Sequence, residues 1–213
     1  MPKFPDPPAA EALSAIAPVI KVLAAATPLA RVYFTGGEYP TRWNAFRRFG
    51  PTNARFDHHL VNTEGQAWAQ ERAVMYCAPA APTCFAEVFQ ETRAIHRTRR
   101  SPWLAVFALE REVQLLDLTG TFPTRVGASM AINTGQRARA RRWAAAFYEA
   151  YPKLSGLYYP SSMHGNAAAI ALTDRAERAT CMPPFPRFNR ALADDVLLDV
   201  LKHTARDLGY GLL

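Results

Sequence analysis

The chain has 213 residues, 49% of them hydrophobic, and carries a formal net charge of +7. That length suits one large domain with a sizeable core. It has no apolar run near the ~20 residues a membrane helix needs, no basic–apolar–small start of a secretory signal, and an odd count of three cysteines that argues against a disulfide framework. A cytoplasmic protein without membrane contact is the resulting expectation.

Residues 1–10 are rich in proline and read as a loose leader. Residues 11–26 read as a helix with an apolar face, interrupted at Pro18. A strand over 29–34 ends at Gly36-Gly37, and 39–59 is irregular, with Gly50-Pro51 as a turn signal. Residues 67–71 suggest a short helix, 73–77 a buried strand, and 82–93 a helix opened by Pro82-Thr83, with Phe85, Val88 and Phe89 on its apolar face. Strands follow over 103–109 and 113–118, then a loop over 120–129. In the helix expected over 137–151, Trp143, Phe147 and Tyr151 recur every four positions, giving one buried stripe with the arginines on the other face. A short strand over 157–159, a polar turn over 160–166, a strand over 167–172 and a helical tail over 190–208 complete the chain. Strands and helices mix without regular βαβ alternation, which predicts an α+β fold.

The basic residues concentrate in His96-Arg97-Thr98-Arg99-Arg100 and in Arg137, Arg139, Arg141 and Arg142. A solvated basic face, or a surface for an acidic partner, explains them better than nucleic-acid binding. The nearby aromatics look like core, and no helix-turn-helix pattern is present.

The chain has no GxGxxG, no phosphate-binding GxxxxGKS loop and no HExxH, and Cys77 and Cys84 are too far apart for a zinc pair. No metal site is expected. The thiols Cys77, Cys84 and Cys181 lie in apolar surroundings, which argues against a reactive thiolate or a Cys–His hydrolase. His58 and His59 are adjacent and point apart on most backbones, so they read as loop or cleft-wall residues. Four places are chemically suggestive. Arg55 sits in the polar loop Asn53-Ala54-Arg55-Phe56-Asp57, and Tyr76 ends the strand Val74-Met75-Tyr76-Cys77-Ala78. Glu87 is flanked by Phe85, Ala86, Val88 and Phe89, and Ser161-Ser162 follow Gly156-Leu157-Tyr158-Tyr159-Pro160. A carboxylate among apolar neighbours either turns to solvent or faces a cationic centre, because burying it unpaired is costly. Singly, each has a plain structural explanation.

Taken in order, these segments resemble the RES family, named for its Arg, Glu and Ser. The early strand is Leu29-Ala30-Arg31-Val32-Tyr33 and the loop is Ala54-Arg55-Phe56-Asp57. The strand end and helix run from Tyr76-Cys77-Ala78 to Ala86-Glu87-Val88, and the late motif is Gly156 to Ser162. The resemblance covers roughly 29–172, leaving 1–28 as a Pro-rich segment and helix before a catalytic unit over 29–213 that ends in a C-terminal helix. Two departures stand out. Ala54 replaces the family's glycine, and the stretch from Arg55 to Tyr76 is longer than in compact members. Of the two serines, Ser161 is taken as the family serine because it directly follows the Tyr-Pro pair.

The resemblance implies an ADP-ribosyltransferase-like, bent and split sheet with helices around an NAD+ cleft. It implies the toxin of a toxin–antitoxin pair with an Xre-like antitoxin as partner. It also implies cleavage of the nicotinamide–ribose bond of NAD+ by water or inorganic phosphate, with NAD+ as substrate and no further cofactor. Glu87, Arg55 and Ser161 would then be catalytic, and Arg31, Tyr76, Arg55 and Ser162 would contact NAD+. The competing expectation is a mono-ADP-ribosyltransferase acting on protein. Against it, Phe85 occupies the place where several such transferases carry Glu or Gln, two residues before Glu87.

Overall fold

In the computed structural model, which describes residues 3–213, the strands divide into two main sheets. The elements in order are α1 (Ala10–Ser14), β1 (Ile20–Leu23), β2 (Pro28–Phe34), β3 (Arg47–Gly50), β4 (Trp68–Cys77), α2 (Ala81–Val88), β5 (Ala94–Ile95), β6 (Pro102–Ala108), β7 (Val113–Asp117) and α3 (Phe122–Arg125). After them come α4 (Arg137–Ala150), β8 (Gly156–Pro160), β9 (Ala168–Thr173), α5 (Asp174–Arg178), β10 (Phe188–Ala191), α6 (Leu198–Leu208) and β11 (Gly211–Leu212). A six-stranded sheet runs β1-β7-β8-β9-β4-β3, a three-stranded sheet runs β10-β6-β2, and β11 pairs with β5 in a small third one. The α+β class and the split sheet match the sequence-based expectation.

Backbone hydrogen bonds join the two main sheets at one residue pair. Ala30 of β2 and Ala78, just past β4, exchange backbone hydrogen bonds of 2.7 and 2.9 Å. Both are alanines with almost no exposure, which lets the backbones approach. Alternation along β4 sends Val74 and Tyr76 toward the core under α4, and Ala73, Met75 and Cys77 toward a second core on the other face. A third core packs α2 and α6 around the small sheet.

The helix expectation for 137–151 holds: α4 ends at Ala150, and Trp143, Phe147 and Tyr151 are buried. Several others are corrected. The helix expected over 11–26 stops at Ser14, and Ile20–Leu23 pairs antiparallel with β7. Pro18 withholds an N–H, and Val19, Ile20 and Val22 favour extended backbone. The helix expected over 67–71 is the first half of β4, whose polar residues run beside the edge strand β3, inside the stretch expected to be irregular. The helix expected over 82–93 ends at Val88, the loop over 120–129 contains α3, and the helical tail begins only at Leu198, after β10 and a 3-10 turn.

The leader is not loose where it is described. Phe4 is buried in the core under α4, and its carbonyl accepts from Arg139. Trp143 Nε1 donates to Pro5 O at 2.9 Å, and Arg142 Nε to Asp6 at 2.8 Å. Much of the basic face is therefore internal fastening. Arg97 likewise binds the carbonyls of Leu192 and Ala193 and the carboxylate of Asp195, and Arg100 lies over the Phe34 ring. All three cysteines are free and buried, and burial raises their thiols, to about 12 for Cys84 and about 11 for Cys181. Among the described residues no helix is long and apolar enough to cross a membrane.

Behind α4 lies a buried polar cluster. The His58 ring stacks on Tyr148 at 4.5 Å, with Nε2 3.6 Å from Asp174 Oδ1. Burial disfavours the Asp174 carboxylate, but the nearby His58 ring, hydrogen bonds from the Ala73 N–H and the Tyr148 hydroxyl, and the charge of Arg178 bring its pKa down to about 2. Burial lowers the His58 pKa, assisted by the charges of His59 and Arg72. The unfolded chain therefore takes up a proton near the ordinary histidine range before the folded one does. His58 contributes stability that is complete above about pH 6.5 and declines as pH falls below it. The urea midpoint is expected to drop between about pH 7 and pH 5, and His58→Phe, which keeps the stack, should flatten that drop. Identical slopes for the two proteins would remove His58 from the account.

Candidate active site

At the seam between the main sheets a cleft of about 190 Å³ opens. Its walls come from Val32 of β2, the β4 end at Tyr76, Cys77 and Ala78, and Tyr159, Pro160 and Ala169 of β8 and β9. Helix α2 contributes Thr83, Cys84, Glu87 and Val88, neighbours at helical spacing on one face, followed by Gln90. Ala54 and Arg55 close one side, Asn133 and Arg137 another, and Ser162 stands at the rim.

The Glu87 carboxylate is held from the β8–β9 turn. Ser161, fully buried at the end of β8, donates Oγ–H to Glu87 Oε1 at 2.5 Å and accepts from the Met163 N–H at 3.1 Å. The turn is pinned to α2 a second time, by the Thr83 Oγ1–His164 Nδ1 contact at 2.9 Å. A hydrogen bond to a charged group contributes about 1.5–3 kcal/mol, so Ser161 fixes one rotamer of Glu87. Ser161→Ala is expected to lower kcat for the cleft's reaction by roughly 10- to 100-fold with little change in KM, because the carboxylate stays but is no longer aimed. Steady-state kinetics on the purified variant read this directly. A rise in KM alone would give Ser161 a substrate contact instead.

Arg55 donates Nη1 to Gly135 O at 2.6 Å and has no carboxylate partner among the described residues. Burial and the nearby charge of Arg137 lower its pKa, against the pull of Glu87. Tyr76 lines the cleft, and its buried hydroxyl finds no partner. Burial raises its pKa, so the phenol is neutral. Glu87, Arg55, Tyr76 and Ser162 are thus brought together in one cleft, with Ser161 immediately behind Glu87.

Arg31, expected as a second cationic contact for substrate, is not brought there. Val32 faces the cleft, so strand alternation sends Arg31 to the opposite side of β2. There its Nη1 donates to Trp43 O at 2.9 Å and Ala45 O at 2.8 Å. Burial pushes its pKa down to about 10, which leaves it charged at neutral pH. Its place is to hold the 43–45 loop against the sheet.

Both departures noted in the sequence prove harmless to the cleft. Ala54 is not among the residues with positive φ, so glycine's conformational freedom is not needed there. None of residues 57–75 lines the cleft. The extra length forms a turn in which the Asn62 side chain accepts the N–H groups of Glu64 and Gln66. Sequence reasoning missed Gln90, Asn133 and Arg137. The first two carry no spacing signal, and Arg137 was grouped with a solvated arginine stripe. Among the described residues no cluster of three or more His, Cys, Asp or Glu side chains is arranged to hold a metal ion.

The family model that matches this chain is the RES domain, over residues 28–190. The chain belongs to the RES domain family. Among solved structures, this RES protein is similar to a chain of the M. tuberculosis MbcT–MbcA toxin–antitoxin complex. The TM-score is 0.56 at 15% sequence identity, over 87% of this chain and 92% of that one, a likeness of fold. No curated protein matches it. The matched region contains every cleft-lining residue of the RES protein, from Val32 to Ala169.

Proposed function

We propose that this chain is the toxin of a toxin–antitoxin pair and cleaves the nicotinamide–ribose bond of NAD+ in the cytoplasm. The observation that carries the reading is the Glu87 carboxylate, fixed by Ser161 at 2.5 Å inside a cleft that also presents Arg55 and Tyr76. Breaking that bond builds positive charge on the ribose, as in glycoside cleavage. A preorganised carboxylate in a half-buried cleft stabilises that charge with little reorganisation. Nicotinamide leaves with the bonding electron pair. The ribose carbon then gains an oxygen from water or inorganic phosphate, and the acceptor's proton is released.

In this reading Glu87 faces the ribose and Tyr76 packs on the nicotinamide or ribose ring. Arg55 meets a phosphate oxygen, Ser162 hydrogen-bonds the substrate from the rim, and Ser161 acts through Glu87. NAD+ is a substrate, and no other cofactor is invoked. Phe85 is fully buried, so the position two residues before Glu87 cannot reach an acceptor side chain, which favours small-molecule turnover over modification of a protein. An Xre-like antitoxin is the proposed macromolecular partner, in keeping with the toxin–antitoxin complex to which the fold is similar.

The test is NAD+ consumption by purified, folded protein with and without inorganic phosphate, with products identified. Loss of NAD+ with release of free nicotinamide supports the reading, and phosphate dependence identifies the acceptor. Intact NAD+ in both samples, from protein free of any co-purified partner, rules it out.

A further inference from the structure

Helix α1 and strand β1 lie outside the residues 28–190 that the family model matches, and neither lines the cleft. Strand β1 forms one edge of the six-stranded sheet, with β7 on its inner side. The Asp117 N–H donates to Val19 O at 2.8 Å. In an antiparallel pair the backbone groups of Val19, Lys21 and Leu23 therefore turn toward β7, and those of Ile20 and Val22 turn outward. The edge is unguarded. Ile20 is 44% and Val22 47% exposed, on the face they share with Leu116 and Gln114. The strand's one charge, Lys21, projects from the other face, where its ammonium is drawn over the Tyr158 ring at 5.4 Å. A free apolar edge of this kind is a template for another strand, and proteins usually protect it with charge, proline or a bulge.

We propose that two copies of this chain pair through β1, antiparallel and about a two-fold axis at Val22, so that their six-stranded sheets become one. Two residues fix the register. Pairing about Lys21 would set its charge directly opposite its own copy, and pairing about Ile20 would call for a backbone donor from Pro18, which has none. Pairing about Val22 avoids both. It sets Val22 against Val22 of the second copy, Ile20 against Ala24, and Lys21 against Leu23. The charges at the two ends of the strand are complementary. Glu112, at the Leu23 end, accepts from Gln114 Nε2 at 3.5 Å, and Arg125, at the Pro18 end, donates Nη2 to Ala17 O at 3.1 Å. Neither has an ion-pair partner among the described residues. A two-fold axis brings the Glu112 end of each copy to the Arg125 end of the other, so unlike charges meet on both sides.

The experiment is sedimentation equilibrium of the full chain over a wide range of concentration. The proteins are the wild type, Val22→Lys, Val61→Lys, Glu112→Arg and the double variant Glu112→Arg with Arg125→Glu. A contact this short lies below the standard interface size, so a wild-type dimer with a dissociation constant on the order of 10 µM is expected. Val22→Lys puts a charge on the edge and should weaken the dimer at least tenfold. Val61→Lys, at a site 52% exposed in the turn before β4, should leave it unchanged. Glu112→Arg should weaken it several-fold, and the added Arg125→Glu should restore it. Melting curves confirm that each variant is folded. None of these residues lines the cleft, so the result is read whether or not NAD+ is turned over. A wild type that stays monomeric up to about 200 µM overturns the proposal and leaves the edge to a strand of a different protein. A dimer that Val22→Lys leaves intact overturns it as well, since the copies then meet elsewhere. A double variant weaker than Glu112→Arg alone overturns the two-fold register.

Discussion

Glu87→Gln is expected to lower NAD+ turnover by about 10³-fold or more, equivalent to about 4 kcal/mol of transition-state stabilisation, while leaving the melting temperature within a degree or two. The size follows from electrostatics. A carboxylate about 4 Å from a unit positive charge, at an effective dielectric near 20, contributes about 4 kcal/mol. The glutamine oxygen can still accept the Ser161 hydroxyl, which separates loss of charge from loss of position. The fall should appear in kcat, because NAD+ in the ground state already carries its positive charge on nicotinamide, and the charge on the ribose carbon grows only as the bond breaks. Near-normal turnover in this variant, measured by nicotinamide release, would refute the mechanism.

The second large effect is structural. Gly156→Ala is expected to destabilise the fold by about 3 kcal/mol, near the upper end for overpacked sites, and to lower the melting temperature by roughly 6–12 °C. A Cβ at Gly156 would sit 2.2 Å from the carbonyl oxygen of Ala171 and 3.0 Å from Leu172 Cα. Both belong to β9, which pairs with β8 along its whole length, so backbone must move. The displacement would travel along β8 to Tyr159 and to Ser161 behind Glu87. Gly120→Ala is the control, because nothing lies within 4 Å of its added carbon. Equal melting temperatures for the two alanine variants would show that β8 and β9 can part at no cost.

Gly156 also opens the late segment by which the chain resembles its family, and the structure supplies the physical reason: backbone approaches backbone there. Other parts of the fold were legible for equally local reasons. The Trp143, Phe147 and Tyr151 spacing matches one helical stripe, and Val74 and Tyr76 in the short apolar run before Ala78 favour a buried strand. Residues 11–26 were misread because a short apolar segment satisfies helix and strand patterns alike. Its fate was decided by pairing with β7, 90-odd residues downstream. The first half of β4 looked helical because its polar residues lie at a sheet edge, where burial does not enforce alternation. In the cleft, Glu87 was conspicuous because its neighbours are apolar. Arg31 was misassigned for want of its strand's facing, and Arg137 was hidden among arginines that share its composition but bind the chain's own leader.

The seam of Ala30 and Ala78 has a mechanical consequence. Backbone joins the two main sheets at one residue pair, so the angle between these two panels is held by side chains, Leu29 and Phe107 of one lying in the same core as Met75, Ile170 and Leu172 of the other. The groups facing the cleft divide unevenly across it: Val32 stands on one panel, while Tyr76, Tyr159 and Ala169 stand on the other. Helix α2, packed against both β2 and β9, bears on the two panels at once and carries Glu87 in its last turn. The cleft's width, set between Val32 on one side and Tyr76, Tyr159 and Ala169 on the other, therefore depends on core packing that no cleft residue's own chemistry reveals.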